Sequence, residues 1–441
     1  VAAVFTHAGC GDDAKPSSDD TATGTDTAIA DDTATGTDTA IADETATGTD
    51  TTTGTDTGTD TGDSTDTPVT TTITILHFSG EATALSPGER DLPPGAGGAN
   101  VQFTGRVSGA AGVILVRPTT NSLDQVEPLA APADGVNTFA VGAGNEGTFG
   151  EGGFRLTDAV DTMAYDDTYT LDVAAGLAKN SSVPQQTMLA IYADMGTAAA
   201  ARIVTVKRTL VTLGPDGTFG DARLTFTVPG ELHGRRLFVG AWVRSFASSV
   251  VYFDNFRLTR TRTSKTPPAP ARVPNGSFEL PDLPPGDYTD DALNWETQLV
   301  EFYYAGVVRH DATQSLPAPD GSQVLEVEQG GLARAVMPDV LVAGKSYVVT
   351  GRFHSRLSRI PPSLYALVLL DSSGELLALT EQVSNHTEWK TFSMCFTPNA
   401  VRGDVGQKWV IEFGVVNSDG DDVGRRLLID SVDYQLVTSC E

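Results

Sequence analysis

The sequence predicts an all-β protein: two tandem β-sandwiches behind a disordered N-terminal tether. From Thr71 onward, short apolar runs alternate with Gly, Pro, Asp and Asn clusters, and no segment carries a sustained helical stripe. Many short strands with frequent turn signals read as sandwiches or barrels. Several of the runs recur in the same order at an offset of about 169 to 191 residues, which predicts an internal duplication. The stretch before Thr71 has too little apolar content to form a core.

The tether is predicted over residues 11–70. Within it the unit DTATGTDTAIAD recurs with a twelve-residue period and then decays into TGTDTGTDTG. Of the chain's formal charge of −28, this stretch carries −14, from fifteen Asp/Glu and one Lys between Gly11 and Pro68. Like charges on an apolar-poor chain favour an extended, solvated coil. For about 55 residues a flexible-coil estimate is roughly 40 Å, and repulsion lengthens it. The same acidity argues against nucleic acid or an anionic lipid surface as a partner. Asp/Thr repeats of this kind lack the Gly-Gly-x-Gly-x-Asp spacing of calcium-binding repeats.

Ahead of the tether, residues 1–10 read VAAVFTHAGC. The small residues Ala8 and Gly9 directly before Cys10 resemble the lipobox of bacterial lipoproteins. His7 departs from the aliphatic residue usual at its position. The resemblance implies a lipidated Cys10, residues 1–10 as the remnant of a signal peptide, and an exported protein. Such a protein would sit in the cell envelope, lipid-anchored to the outer membrane or cell surface.

The first sandwich is predicted over residues 71–262, with strands such as TITILHF, TYTLDVAA, QTMLAIYAD, ARIVTVKRT, RRLFVGAWVR and SVVYFDNFRL. A Pro-rich linker follows at residues 263–274, and a second sandwich at residues 275–441. The copies align through DLPPG at Asp91–Gly95 and Asp282–Gly286, and APADG at Ala131–Gly135 with APDG at Ala318–Gly321. They align further through TYTLDV and SYVVTG, DARLTFTVP and KTFSMCFTP, and VYFDNFRL and LIDSVDYQL.

The run NGSFELPDLPPGDYTDDALNW, with APDGSQVLEVEQGG, AGKSYVVTGRF and LLIDSVDYQL, resembles the galactose-binding-like jelly roll. That group includes many carbohydrate-binding modules and the cyanobacterial cyclases of the hapalindole type. The resemblance is clear from Val273 to Leu436 and weaker from Thr71 to Leu258. It implies a structural calcium ion joining the first and last strands, with Glu279 and Asp430 as side-chain ligands and further oxygens near Asn275. Calcium takes six to eight hard oxygens, which adjacent terminal strands can supply together. In the first copy Asp254 stands where Asp430 does, with Glu81 or Glu89 as its partner. The acidic run NSDGDD at Asn417–Asp422 is either a further calcium loop or a solvated turn.

Glycan or another cell-surface polymer is the expected partner. Sugar recognition needs aromatic faces with polar neighbours. Tyr303 and Tyr304 alternate along one run, so one faces outward in a strand. Arg352 and His354 share a face of another strand, either a ligand-binding face or a solvated one. Trp295, Trp389 and Trp409 are expected in the core.

The three cysteines form no metal pattern. Cys10 stands apart, and Cys395 and Cys440 either pair in a disulfide, which export favours, or stay reduced. The chain contains neither HExxH nor GxSxG. AGKS at Ala343–Ser346 has Asp339 where a phosphate loop needs Gly. The expected activity is therefore binding. The alternatives are a glycan-active or cyclase-like enzyme on the concave sheet face, with Asp430 as an acid, and an adhesive envelope protein with no small ligand.

Overall fold

The computed structural model describes residues 71–78, 90–91, 101–103, 112–116, 138–143, 150–178, 181–196, 200–214, 217–247, 249–263, 265–290, 292–298, 305–309, 317–328, 330–356, 363–370, 374–383, 388–416 and 426–440. Cys10, the tether, Glu81, Glu89, Tyr303, Tyr304 and the NSDGDD run lie outside these residues. Among the described residues the only helical element is a 3₁₀ turn at Gly230–Leu232, and no helix is long and apolar enough to cross a membrane.

Among the described residues thirteen strands build the first sandwich. They are β1 (Thr71–Phe78), β2 (Arg90–Asp91), β3 (Val101–Phe103), β4 (Gly112–Val116), β5 (Thr138–Ala143), β6 (Gly150–Leu156) and β7 (Asp161–Thr162). After them come β8 (Thr168–Leu177), β9 (Gln186–Asp194), β10 (Ile203–Leu210), β11 (Gly220–Thr227), β12 (Arg236–Ser245) and β13 (Ser249–Arg262). Among the described residues eleven strands build the second. They are β14 (Tyr288–Thr289), β15 (Glu296–Gln298), β16 (Ala305–Val308), β17 (Val324–Glu328) and β18 (Leu332–Val336). The remainder are β19 (Ser346–Arg356), β20 (Ser363–Leu370), β21 (Leu376–Val383), β22 (Lys390–Phe396), β23 (Trp409–Val416) and β24 (Arg426–Val437).

The duplication is written in the sheet order. The first sandwich pairs its strands as β11-β8-β13-β5-β4-β2 and β10-β9-β12-β6-β3. The second pairs them as β22-β19-β24-β17-β16-β14 and β21-β20-β23-β18-β15. Position for position the two orders correspond; β1 on β13 and β7 on β12 are additions to the first. All ladders are antiparallel, and the chain crosses repeatedly between sheets, as in a jelly roll.

Alternation along the strands explains the two layers. Ala222, Leu224 and Phe226 of β11 turn inward while their neighbours are exposed, and Phe392, Met394 and Phe396 of β22 repeat the pattern. One core gathers Phe139, Phe154, Leu171, Ile191, Val239, Phe253 and Phe256 from both sheets of the first sandwich. The second gathers Phe278, Trp295, Tyr347, Phe353, Trp409, Phe413 and Tyr434. In it Trp295 stacks on Phe413, with centroids 5.5 Å apart. Cys395 on β22 is bonded to Cys440, so the disulfide ties the tail after β24 to the far edge strand of the same sheet.

The Pro-rich loop that opens the second sandwich docks on the first. Asp282 donates its N–H to the Val206 carbonyl and accepts from the Arg208 N–H, each at 2.9 Å, and its carboxylate pairs with Lys207. Leu280 and Leu293 pack on the first core. Asp287, fully buried, accepts from Arg208 Nη1 at 3.2 Å and Arg244 Nη1 at 3.0 Å. Breaking a buried ion pair from one side leaves an uncompensated charge. Asp287→Ala is therefore expected to cost about 3–5 kcal/mol and to split unfolding into two calorimetric transitions; one unshifted transition contradicts this. Cys440→Ser opens a closure of 45 residues. It is expected to lower stability by about 2–4 kcal/mol in denaturant titrations.

Candidate functional site

The outer face of the sheet built on β24 carries the chemistry. Leu427 and Ile429 of β24 enter the core, so alternation turns Arg426, Leu428 and Asp430 outward. Leu325 and Val327 of β17 do the same for Glu326 and Glu328, and Phe353 of β19 for Arg352 and His354. Cross-strand register then sets neighbours: Glu326 opposite Leu428, Leu428 opposite His354, Glu328 opposite Arg426, and Asp430 opposite Arg352. Arg426 bridges both acids, Nη1 to Glu326 at 2.8 Å and Nη2 to Glu328 at 2.7 Å. Glu326 and His354 are buried on this outer face, whereas Arg352 is exposed.

Arg352 and His354 thus share a face, as their alternation predicts. Trp389 does not go where the sequence places it. Trp295 and Trp409 are fully buried in the core, but Trp389 is half-buried and absent from it. Its ring lies 5.6 Å from that of His354, tilted by 56°, and its Nε1–H bonds the Pro317 carbonyl at 3.0 Å. Trp389 precedes β22, before the alternation that fills the core begins, and that position was the available signal.

The first sandwich presents the same register with different chemistry. Tyr252 stands where Leu428 does, opposite Ala140 and Gly176 instead of Glu326 and His354. Val250 and Gly142 replace Arg426 and Glu328, and Ala174 replaces Arg352. The chain covers this face itself: Gly214 and Gly217 donate to the carbonyls of Ala175 and Leu177, and Phe219 packs with Ala140, Ala178 and Tyr252.

Asp254 and Asp430 are the polar pair the copies keep. Both are fully buried, and each accepts through Oδ1 from the next residue's N–H, at 2.8 Å from Asn255 and 2.6 Å from Ser431. Asn255 and Ser431 both have positive φ, 51° and 53°, beside a register shift in each ladder. The bulge re-aims the carboxylate and lets the strand return to inward Phe256 or Val432.

Glu279 and Asp430 hold opposite sides of one turn. Glu279 Oε1 accepts from the N–H groups of Ser322 and Gln323, both at 2.8 Å, and Oε2 from the Ser322 hydroxyl at 3.1 Å. Asp430 Oδ2 accepts from the Asp320 N–H at 2.9 Å. Gly321 lies between them at φ 72°, where a Cβ would collide with the Glu279 carboxylate. Burial pushes the Asp430 carboxyl up to about 7 against the pull of the Asp320 and Ser431 N–H groups, and the charges of Asp320 and Glu279 push the same way. Two carboxylates reaching one turn, with the Asp430 proton affinity raised, fit a hard cation whose shell backbone carbonyls and water would complete. Among the described residues no three His, Cys, Asp or Glu side chains form a metal cluster. Asn275 does different work: its amide donates to the carbonyls of Leu280 and Leu293 and accepts from the Leu280 N–H, which closes the loop.

No known protein family matches the chain, and neither does any curated protein. Among solved structures it is similar to the tandem CBM22-1–CBM22-2 modules of Paenibacillus barcinonensis Xyn10C, at 10% identity and a TM-score of 0.27, over 84% of this chain and 99% of that one. It is also similar to a Stig cyclase from Fischerella sp. TAU, at 19% identity and a TM-score of 0.31, over 38% of this chain and 98% of that one. A third is TmCBM61 in complex with β-1,4-galactotriose, at 18% identity and a TM-score of 0.26, over 38% of this chain and 99% of that one. The tandem jelly-roll architecture rests on the strand orders and the two cores described above.

Proposed function

We propose that the chain is a surface-tethered bacterial lipoprotein that binds a glycan, or another hydroxyl-rich surface polymer, on the outer face of β17, β24 and β19. One observation carries this reading. Register positions that are Ala, Gly and Val in the first copy are Glu, His and Arg in the second, and Trp389 stands beside them. A fold needs no such set on an outer face. Sugars do: their C–H faces settle on aromatic rings and their hydroxyls on fixed donors and acceptors. The lipid anchor rests on Ala8-Gly9-Cys10 and on the acidic tract behind it, which gives reach from a membrane.

Trp389→Ala is expected to weaken binding to whichever glycan an array of the full chain identifies by about tenfold or more. Arg352→Ala should weaken it less, because its guanidinium stays in water. Unchanged binding in Trp389→Ala, or an array without a hit, overturns the reading. A second reading is favoured by the buried Glu326 carboxylate and His354 imidazole flanking Leu428, about 10 Å apart across two strand spacings. That pair suits acid–base chemistry. Release of reducing ends from the bound glycan, abolished in Glu326→Gln, would favour the enzyme.

We further propose calcium as a pin between Glu279 and Asp430. An acid whose folded pKa is raised binds more protons folded than unfolded, so stability falls as pH rises between the two values. For Asp430 the window runs from 3.8 to about 7. In chelator the melting temperature of the chain should drop from pH 5 to pH 8. Calcium at pH 8 should restore it, and not in Glu279→Gln. Equal melting temperatures with calcium and with chelator at pH 8 contradict the pin.

A further inference from the structure

We propose a second glycan site, for one or two units of a neutral pyranose chain, in the cleft where the two sandwiches meet. It extends the glycan-binding reading to a different part of the molecule. The cleft has a volume of about 340 Å³, at the lower end of ligand-site sizes. Gln185, Gln186, Arg244 and Phe246 of the first sandwich line it, with Gly286 and Tyr288 of the second. Neither sandwich forms it alone.

Its walls are aromatic and open. Phe246 is 56% exposed and Tyr288 42%. The Arg244 guanidinium lies over the Tyr288 ring, 5.0 Å from its centroid, which fixes the ring while leaving much of it in water. Two exposed rings at one cleft, one of them held by Arg244, suit the C–H face of a sugar.

Its floor is polar and balanced. Arg244 pairs with Glu151 and Asp287, and Arg208 with Asp287, so two cations meet two anions. Such a floor gives an acidic ligand no net attraction. Arg244 Nη1 also donates to Gln186 Oε1 at 2.7 Å. That bond orients the amide, so its NH₂ end is the one left for a ligand hydroxyl, and exposed Gln185 adds a second amide. Because these groups are held by buried ion pairs, the site is ordered before the ligand arrives.

The test is calorimetric titration of the full chain with cellohexaose, xylohexaose and mannohexaose, and with oligogalacturonate as the acidic arm. At least one neutral sugar should bind wild type and Trp389→Ala. Phe246→Ala and Tyr288→Ala should each weaken that binding tenfold or more, while Tyr288→Phe stays within twofold and confirms that the fold is intact. Binding of oligogalacturonate alone, no binding of any neutral sugar, or equal affinity in Phe246→Ala and wild type overturns the proposal. Loss in Trp389→Ala alone also overturns it and leaves the sheet-face site standing. Loss in the cleft variants alone does the reverse.

Discussion

The last strand of each sandwich sets what its module can do, because a pleated strand has two faces and each has a separate task. In β24 the inward series Leu427, Ile429, Val432 and Tyr434 is core. The outward series Arg426, Leu428 and Asp430 is chemistry. A one-residue slip would exchange them and put a carboxylate into the apolar core, so register is strongly held. The bulge at Asp430–Ser431 lets the strand serve both tasks: it accommodates one buried acid and then returns the alternation to the core side. Since β24 lies between β17 and β19, Arg426 and Leu428 each acquire register partners from both neighbours. That is why acid, base and cation gather here.

The duplication then explains the division between the modules. The first copy keeps the strand order, the bulge and Asp254, all of which close the sandwich. It replaces the outward polar residues with Ala, Gly and Val250, and lays its own Gly214, Gly217 and Phe219 against that face. Burying an outer face with small apolar residues is cheap for a scaffold. Burying Glu326 and His354 is not, since each loses hydration on leaving water. On the proposed reading, the module that retains such a set against that cost is the one that takes the ligand.

The fold was legible because its signals are local or repeated. Alternation in KTFSMCF and DARLTFTVP reads directly as strands facing a core. Matched order along the chain reads as duplication even where the pairs are short. Glu279 and Asp430 were readable as two ends of one domain, although their meeting at the Asp320–Gln323 turn required the fold. Arg352 and His354 could be placed on one face but not given neighbours, because Glu326 and Arg426 come from strands distant in sequence. Trp389 was misplaced since a Trp beside an apolar strand is more often core, and only tertiary contact puts it on His354. The interface carried no signal at all: DLPPG looks like a loop until Val206 and Arg208 are seen to bond it.

That loop links the separate features. Val273–Gly286 reaches the Asp320–Gln323 turn through Glu279, the first sandwich through Asp282, and, one residue beyond its end, the buried Arg208–Arg244 pair through Asp287. Tyr288 follows immediately and walls the cleft. A cation held by Glu279 and Asp430 would stiffen the segment that both docks the modules and presents Tyr288. The energetics point the same way. With Asp430 ionised and unmatched, repulsion from Glu279 and Asp320 opposes the closed turn; with the charge matched, turn, loop and interface become one rigid path. Calcium should therefore tighten sugar binding in the cleft without touching it, through the ordering of Tyr288.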